Sequence, residues 1–305
     1  MHSDIWTEIS TELEKRGYKG QIVPVHHLAA LQEEIGNKHR QGELDEEVRM
    51  DLLKFDFRPP AALPNAESLI VVAVPQPQIQ VLFSRNGKVF PVIIPPTYFH
   101  HPNKEVETLL TGILAPQGYR IAGSVLPLKL LAVRSGLARY GRNNICYTPG
   151  MGSFHRLMAF YSDLPCPADH WQEAEITESC QNCDICQQSC PTSAIPSDRF
   201  LIHAERCLTF HNEKPVDVPF PDWINPSWHN SLVGCMTCQT VCPQNRDFLN
   251  WVERWVEFSE EETAILLIKT PLDRLPVALA KKLEQFDLTY IFDIFPRNLS
   301  VLLNQ

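Results

Sequence analysis

Eight of the ten cysteines of this 305-residue chain fall in a pattern that could hold iron. Residues 180–191 read CQNCDICQQSCP, residues 235–243 read CMTCQTVCP, and Cys207 lies between the two runs. A C-x2-C-x2-C-x3-C-P run wraps three thiolates around one [4Fe–4S] cube and aims its last cysteine, just before the proline, at a second cube. The expected division is therefore crossed. Cys180, Cys183, Cys186 and Cys242 hold one cluster; Cys190, Cys207, Cys235 and Cys238 hold the other, with Cys207 replacing the missing first member of the second run. Two cubes on a crossed scaffold lie close together, so single electrons pass between them. Structural zinc is the simpler use of two CxxC pairs, and four thiols would be enough for it. It explains neither the third cysteine at x2 spacing nor the CP ending that occurs twice. Disulfides would need an exported chain, and residues 1–20 open on acidic and polar residues that fit no signal or transit peptide.

Composition narrows the setting. Hydrophobic residues make up 44% of the chain, and no apolar run approaches the roughly 18 residues of a membrane span. The net charge is −9, from 27 basic and 36 acidic residues, which repels nucleic-acid backbones in general. The expectation is a soluble, cytoplasmic protein without a membrane partner, whose thiols stay reduced and available to iron.

The elements that must position the cysteines come before and after them. Residues 3–16, 27–39 and 45–55 have helical periodicity, with a short strand at 21–25. SLIVVAV at 68–74 is a continuous β-branched run, the pattern of a central strand buried on both faces. IQVLFS and VFPVII flank Arg85–Lys88, and Asn86-Gly87 can adopt the positive φ that a tight hairpin needs. Residues 103–115 and 127–136 read as helices, and 143–147 and 153–162 as strands returning to the sheet. The 180–245 stretch reads as short helical turns built around metal, and 250–305 as an acidic, all-helical tail with nine acidic against six basic residues from 251 onward. The expected organisation is an α/β cofactor and substrate domain at 1–175, a cluster domain at 176–250 and a helical tail at 251–305.

LAVRSGLARYGRNN at 131–144, GS at 152–153, CPTSAI at 190–195, AERCLTF at 204–210 and GCMTCQTVCPQN at 234–245 occur in the order seen in the epoxyqueuosine reductase family, which this sequence resembles over roughly 65–250. Members of that family are cytoplasmic enzymes with two [4Fe–4S] clusters and a base-off cobalamin; they reduce the epoxide of a modified tRNA base, and reductive dehalogenases are distant relatives. The resemblance implies an α/β (α+β) fold: a mixed-sheet, nitroreductase-like corrinoid-binding domain, then a bacterial-ferredoxin-like dicluster module and a short helical tail. It implies electrons from a reduced ferredoxin or flavodoxin. Ala122 stands where the family has a proton-donating aspartate, Arg139 replaces its tryptophan, Ala138 its second glycine and Arg142 its lysine. The acidic tail offers tRNA no basic face, so the expected substrate is a small molecule or a modified nucleoside.

Several side chains are candidates for roles beside the clusters. Arg139, Tyr140, Arg142 and Asn143 follow a helix in a loop whose family counterpart faces the cofactor, and Ser153 follows a Gly-Met-Gly turn; all five are expected to bind the corrinoid, against the alternative of ordinary turn residues. Tyr98 and Tyr140, with His100 and His101, are the candidate acids in place of Ala122. Cys146 and Cys166 are left over as small buried thiols. His26 and His27, adjacent on a helix, would point different ways and are read as exposed polar residues. No GxGxxG or Walker loop occurs, against NAD in a Rossmann site and ATP. Three functions follow: a cobalamin-dependent iron–sulfur oxidoreductase acting on another substrate, a dicluster electron-transfer or binding protein, or epoxyqueuosine reductase with a relocated proton donor.

Overall fold

In the computed structural model, which describes residues 2–44, 46–47 and 54–305, the apolar run forms the strand Ser68–Pro75, buried from Ser68 to Val74. Side chains alternate across a strand, and here the alternation divides them between two cores. Leu69, Val71 and Ala73 join Leu157, Ala159 and Tyr161 of strand His155–Ser162, under the helices Leu28–Arg40 and Leu128–Arg134. Ile70, Val72 and Val74 face the opposite way, against Ile9 and Leu13 of helix His2–Lys15 and Val106 and Leu110 of helix His101–Leu114. The sheet is antiparallel throughout, in the order Lys19–Pro24, Ser68–Pro75, His155–Ser162, Ile121–Gly123. Burial on both faces comes from helices laid on each side of it. Most of the helix expected at 45–55 lies outside the described residues.

The hairpin does not join that sheet. Gln78–Arg85 and Lys88–Ile94 pair through Asn86 and Gly87, at φ 52° and 71°, and take a third strand, Val252–Phe258, parallel to Gln78–Arg85. The helix expected at 250–258 is thus a strand. Its alternation was hidden because the register shifts between Gln80 and Val81, opposite Arg254 and Val256, leaving Trp255 as an extra residue that breaks the two-residue period. The displaced ring packs against Phe99 at 4.4 Å. Phe258 stacks on Phe83 at 5.1 Å, and helices Glu260–Leu266, Val277–Gln285 and Phe295–Leu303 close over this second sheet. The last 54 residues therefore share a core with residues 78–94 rather than trailing as a tail.

Residues 143–147 also differ from expectation. Cys146–Tyr147 pairs only with Arg139–Tyr140, in a separate two-stranded ribbon. Beyond it, residues 180–245 are short pieces: helices Ile185–Ser189, Leu208–Glu213 and Thr237–Thr240, separated by irregular stretches that include the 3-10 turns Ala204–Arg206 and Pro226–Trp228. Helices of one or two turns do not persist alone, so their order comes from what they pack against. No described helix is long and apolar enough to cross a membrane.

Candidate metal centre

Folding of the 180–245 segment gathers cysteines that the sequence separates. Cys180, Cys183, Cys186 and Cys242 line one cavity with Ile185 and Pro243. Burial, then the neighbouring Cys180, Cys242 and Cys183, pushes the Cys186 thiol up to about 11. Cys207, Cys235 and Cys238 form a second group: burial, then Cys235 and Cys207, raises the Cys238 pKa well above the usual thiol range. Cys238 also feels the charge of Cys186, and the helices carrying these two cysteines pack together, so the groups adjoin. Cys190 accepts a hydrogen bond from the Ala194 amide at 3.4 Å. For Cys186, Cys207 and Cys238, raised by burial, a bound metal would take the place of the thiol proton.

The spread of the sulfurs bears on which metal fits. A tetrahedral zinc, with sulfur about 2.3 Å away, draws its ligands to about 3.8 Å from one another. Among the described residues no three cysteine sulfurs lie within 4.8 Å of each other. Four cysteines around one cavity are the donor set of a four-iron cube.

One turn of the preceding domain grips both groups. Arg142 donates from Nε to the carbonyl of Cys183 at 2.9 Å and from Nη2 to that of Cys180 at 2.8 Å. Its neighbour Asn143, buried, donates to the Tyr147 hydroxyl at 3.0 Å and reaches the Cys238 carbonyl at 3.5 Å. Tyr147 lines the same cavity as Cys242. Adjacent residues thus hold adjacent cluster loops. A second seam lies at Ser153, whose hydroxyl donates to Gln239 Oε1 at 2.8 Å and accepts from Asn245 Nδ2 at 2.8 Å. Gly152 is required here: at φ 54°, an added Cβ would strike Asn245 and approach the Gln244 carbonyl to 2.9 Å.

The five side chains expected at a corrinoid are not brought together around an open cradle. Arg142, Asn143 and Ser153 are spent on the cluster segment, Tyr140 is buried in the first core against Phe200, and Arg139 pairs with Glu175 on the surface. Three of the five thus already have protein partners in the cluster segment. The two candidate acids also separate. Tyr140 belongs to the first core, whereas Tyr98 packs against the second, over Gly234, and its hydroxyl donates to Glu213 near Cys207. Burial and then Glu213 raise the Tyr98 pKa well above its ordinary value. His100 meets Tyr290 edge to face, and His101 meets Glu105 at the surface. Ala122 lies in the edge strand Ile121–Gly123 and packs against the first core. Sequence reasoning missed Tyr147, Gln239 and Asn245; the signal available was their position inside or beside the cysteine and NNICY motifs.

Residues 179–245 match the family described as a 4Fe-4S double cluster binding domain. The chain therefore carries a double-cluster iron–sulfur module behind an α/β sheet domain. In sequence and in fold it is similar to epoxyqueuosine reductases. It is 30% identical over 146 residues to the epoxyqueuosine reductase of Staphylococcus aureus, a match covering 48% of this chain and 33% of that one. The chain spans about a third of the length of the curated relatives it matches. A selenomethionine-labelled epoxyqueuosine reductase superposes with a TM-score of 0.71 at 20% identity, over 99% of this chain and 82% of that one. An epoxyqueuosine reductase with an epoxyqueuosine-modified tRNA-Tyr stem loop gives 0.68 at 21% identity, over the same shares. At these identities the structural likeness is one of fold.

Proposed function

We propose that this chain is an iron–sulfur oxidoreductase that relays low-potential electrons, one at a time, to an acceptor in or beside its sheet domain. One [4Fe–4S] cluster is held by Cys180, Cys183, Cys186 and Cys242, the other by Cys190, Cys207, Cys235 and Cys238. The observation that carries this reading is the 141–144 turn, where Arg142 and Asn143 each hold one cysteine loop. A rigid grip on both loops fixes the distance from the clusters to the sheet domain, which single-electron transfer requires. Cysteine-ligated clusters span roughly −700 to +450 mV, with burial favouring the reducing end. An external reduced ferredoxin or flavodoxin supplies the electrons.

Kinship with the epoxyqueuosine reductases supports a corrinoid as the acceptor and a modified nucleoside as the substrate class. A corrinoid in its Co(I) state would supply a strong nucleophile and reductant. The proton is assigned to this chain's own Tyr98. Its hydroxyl is oriented by the hydrogen bond it donates to Glu213.

The test is metal analysis of protein purified without oxygen from cells supplied with cobalamin. About eight irons per chain and one cobalt, with conversion of epoxyqueuosine-modified stem loop under a chemical reductant, are the expected results. A colourless, zinc-filled preparation would overturn the relay. About eight irons without cobalamin uptake would overturn the corrinoid acceptor and leave an electron-transfer protein.

A further inference from the structure

We propose that His26, His27 and Asp169 form a binding site for one divalent transition-metal ion, zinc by its ligand set, apart from the cysteine centre. The strand Lys19–Pro24 runs directly into the 3-10 turn Val25–His27. Neighbours on an α-helix diverge by about 100°, but here the two imidazoles lie 4.2 Å apart, centroid to centroid. Asp169 arrives from the connector that leads into the cluster module, with its oxygens 2.8 and 3.0 Å from His27 Nε2. One ligand atom from each residue lies within 4.8 Å of the other two, and among the described residues this is the single His, Cys, Asp or Glu trio that meets that condition. Nitrogen and carboxylate oxygen bind zinc at about 2.0–2.2 Å, so a closure of roughly an ångström completes the geometry.

Two ligands are already oriented. His27 stacks face to face on Trp171, at 4.2 Å and 5° between planes, and its side chain is 13% exposed. Asp169 accepts a hydrogen bond from the Trp171 amide at 3.0 Å, an outer contact of the kind that aims a ligating carboxylate. His26 and Asp169 face solvent, which leaves an entry path. Without metal, His27 Nε2 and Asp169 are held together by their hydrogen bond; a bound ion would replace that contact and be ligated by neutral imidazole. Two nitrogens and one oxygen leave a fourth tetrahedral position for water. The ion would bolt the 163–171 connector to the first strand of the sheet.

The test uses cluster-loaded protein equilibrated with zinc chloride, with zinc and iron counted in the same samples, beside the double variant His26→Ala, Asp169→Asn. One zinc per wild-type chain, about tenfold or more weaker binding in the variant, and equal iron in both are expected. Equal zinc in the two proteins, or zinc that rises only as iron falls, would overturn the site. Should the double variant fold poorly, His26→Gln alone keeps the His27–Asp169 pair and must show the same loss of zinc. Because iron is read separately, failure here is distinct from failure of the relay.

Discussion

Asn245 and Ser153 meet twice: the Ser153 amide donates to Asn245 Oδ1 at 2.9 Å, and Asn245 Nδ2 donates to Ser153 Oγ at 2.8 Å. Asn245 lies three residues past Cys242 and is fully buried; Ser153 lies two residues before the strand His155–Ser162. The contact joins the end of the last cysteine run to the middle of the first sheet. Both residues are buried and hydrogen-bonded to each other, so the GS pair at 152–153 acts as a docking joint.

Gly152→Ala tests that joint. The new Cβ meets Asn245 and the Gln244 backbone in a left-handed conformation, and about 3 kcal/mol of destabilisation is expected. Urea unfolding followed by cluster absorbance should show the midpoint falling; an unchanged midpoint would mean the seam is not closed in solution.

Cys242→Ala and Cys190→Ala should each remove one cluster, but not the one nearest in sequence. Iron should drop from about eight to about four in both variants, with the cluster signal of the 180–186 run lost in the first and retained in the second. EPR of the reduced proteins decides, and the opposite pattern would mean that the cysteines are not crossed.

Arg142→Gln removes two hydrogen bonds from a charged donor to the loop at 180–183 while leaving Asn143 on the other loop. Such bonds contribute about 2 kcal/mol. Iron release to a chelator should therefore quicken by more than tenfold for one cluster only. Equal release from both would show that the turn grips them as one unit.

Acid should weaken the fold through two buried histidines. Burial, opposed by the Gly152 carbonyl, pushes His155 down to about 4; burial, then Arg297, does the same to His229. Their unfolded value is about 6.5. The unfolded chain therefore binds more protons in the interval, and the stability present above about 6.5 is lost as pH falls toward 4. The loss by pH 5 is about 2 kcal/mol for each histidine. Unfolding midpoints at pH 7 and 5, compared between wild type and His155→Gln, should show a smaller difference in the variant; an identical difference would remove His155 from the account.

Phe258→Ala probes whether the carboxy-terminal segment is part of the core. The ring is fully buried against Phe83, and a cost of about 3–5 kcal/mol is expected. Thermal unfolding would measure it, and a cost below about 1 kcal/mol would point to a tail that moves freely of the hairpin.

Local chemistry was legible in the sequence alone. Cysteine spacing within a run is a fixed geometric constraint, so 180–190 and 235–242 declared a double-cluster module before any fold was known. The apolar run at 68–74 and Asn86-Gly87 declared a buried strand and a hairpin for the same reason, since side-chain alternation and positive φ are properties of a few residues. Only the tertiary structure decided what long-range pairing controls. A single bulged residue, Trp255, masked the strand at 252–258, and its partner Gln78–Arg85 lies far upstream. The duties of Arg142, Asn143 and Ser153 were likewise decided by what folded against them: a side chain's chemistry states what it can bind, and the neighbour supplied by the rest of the chain determines what it does bind.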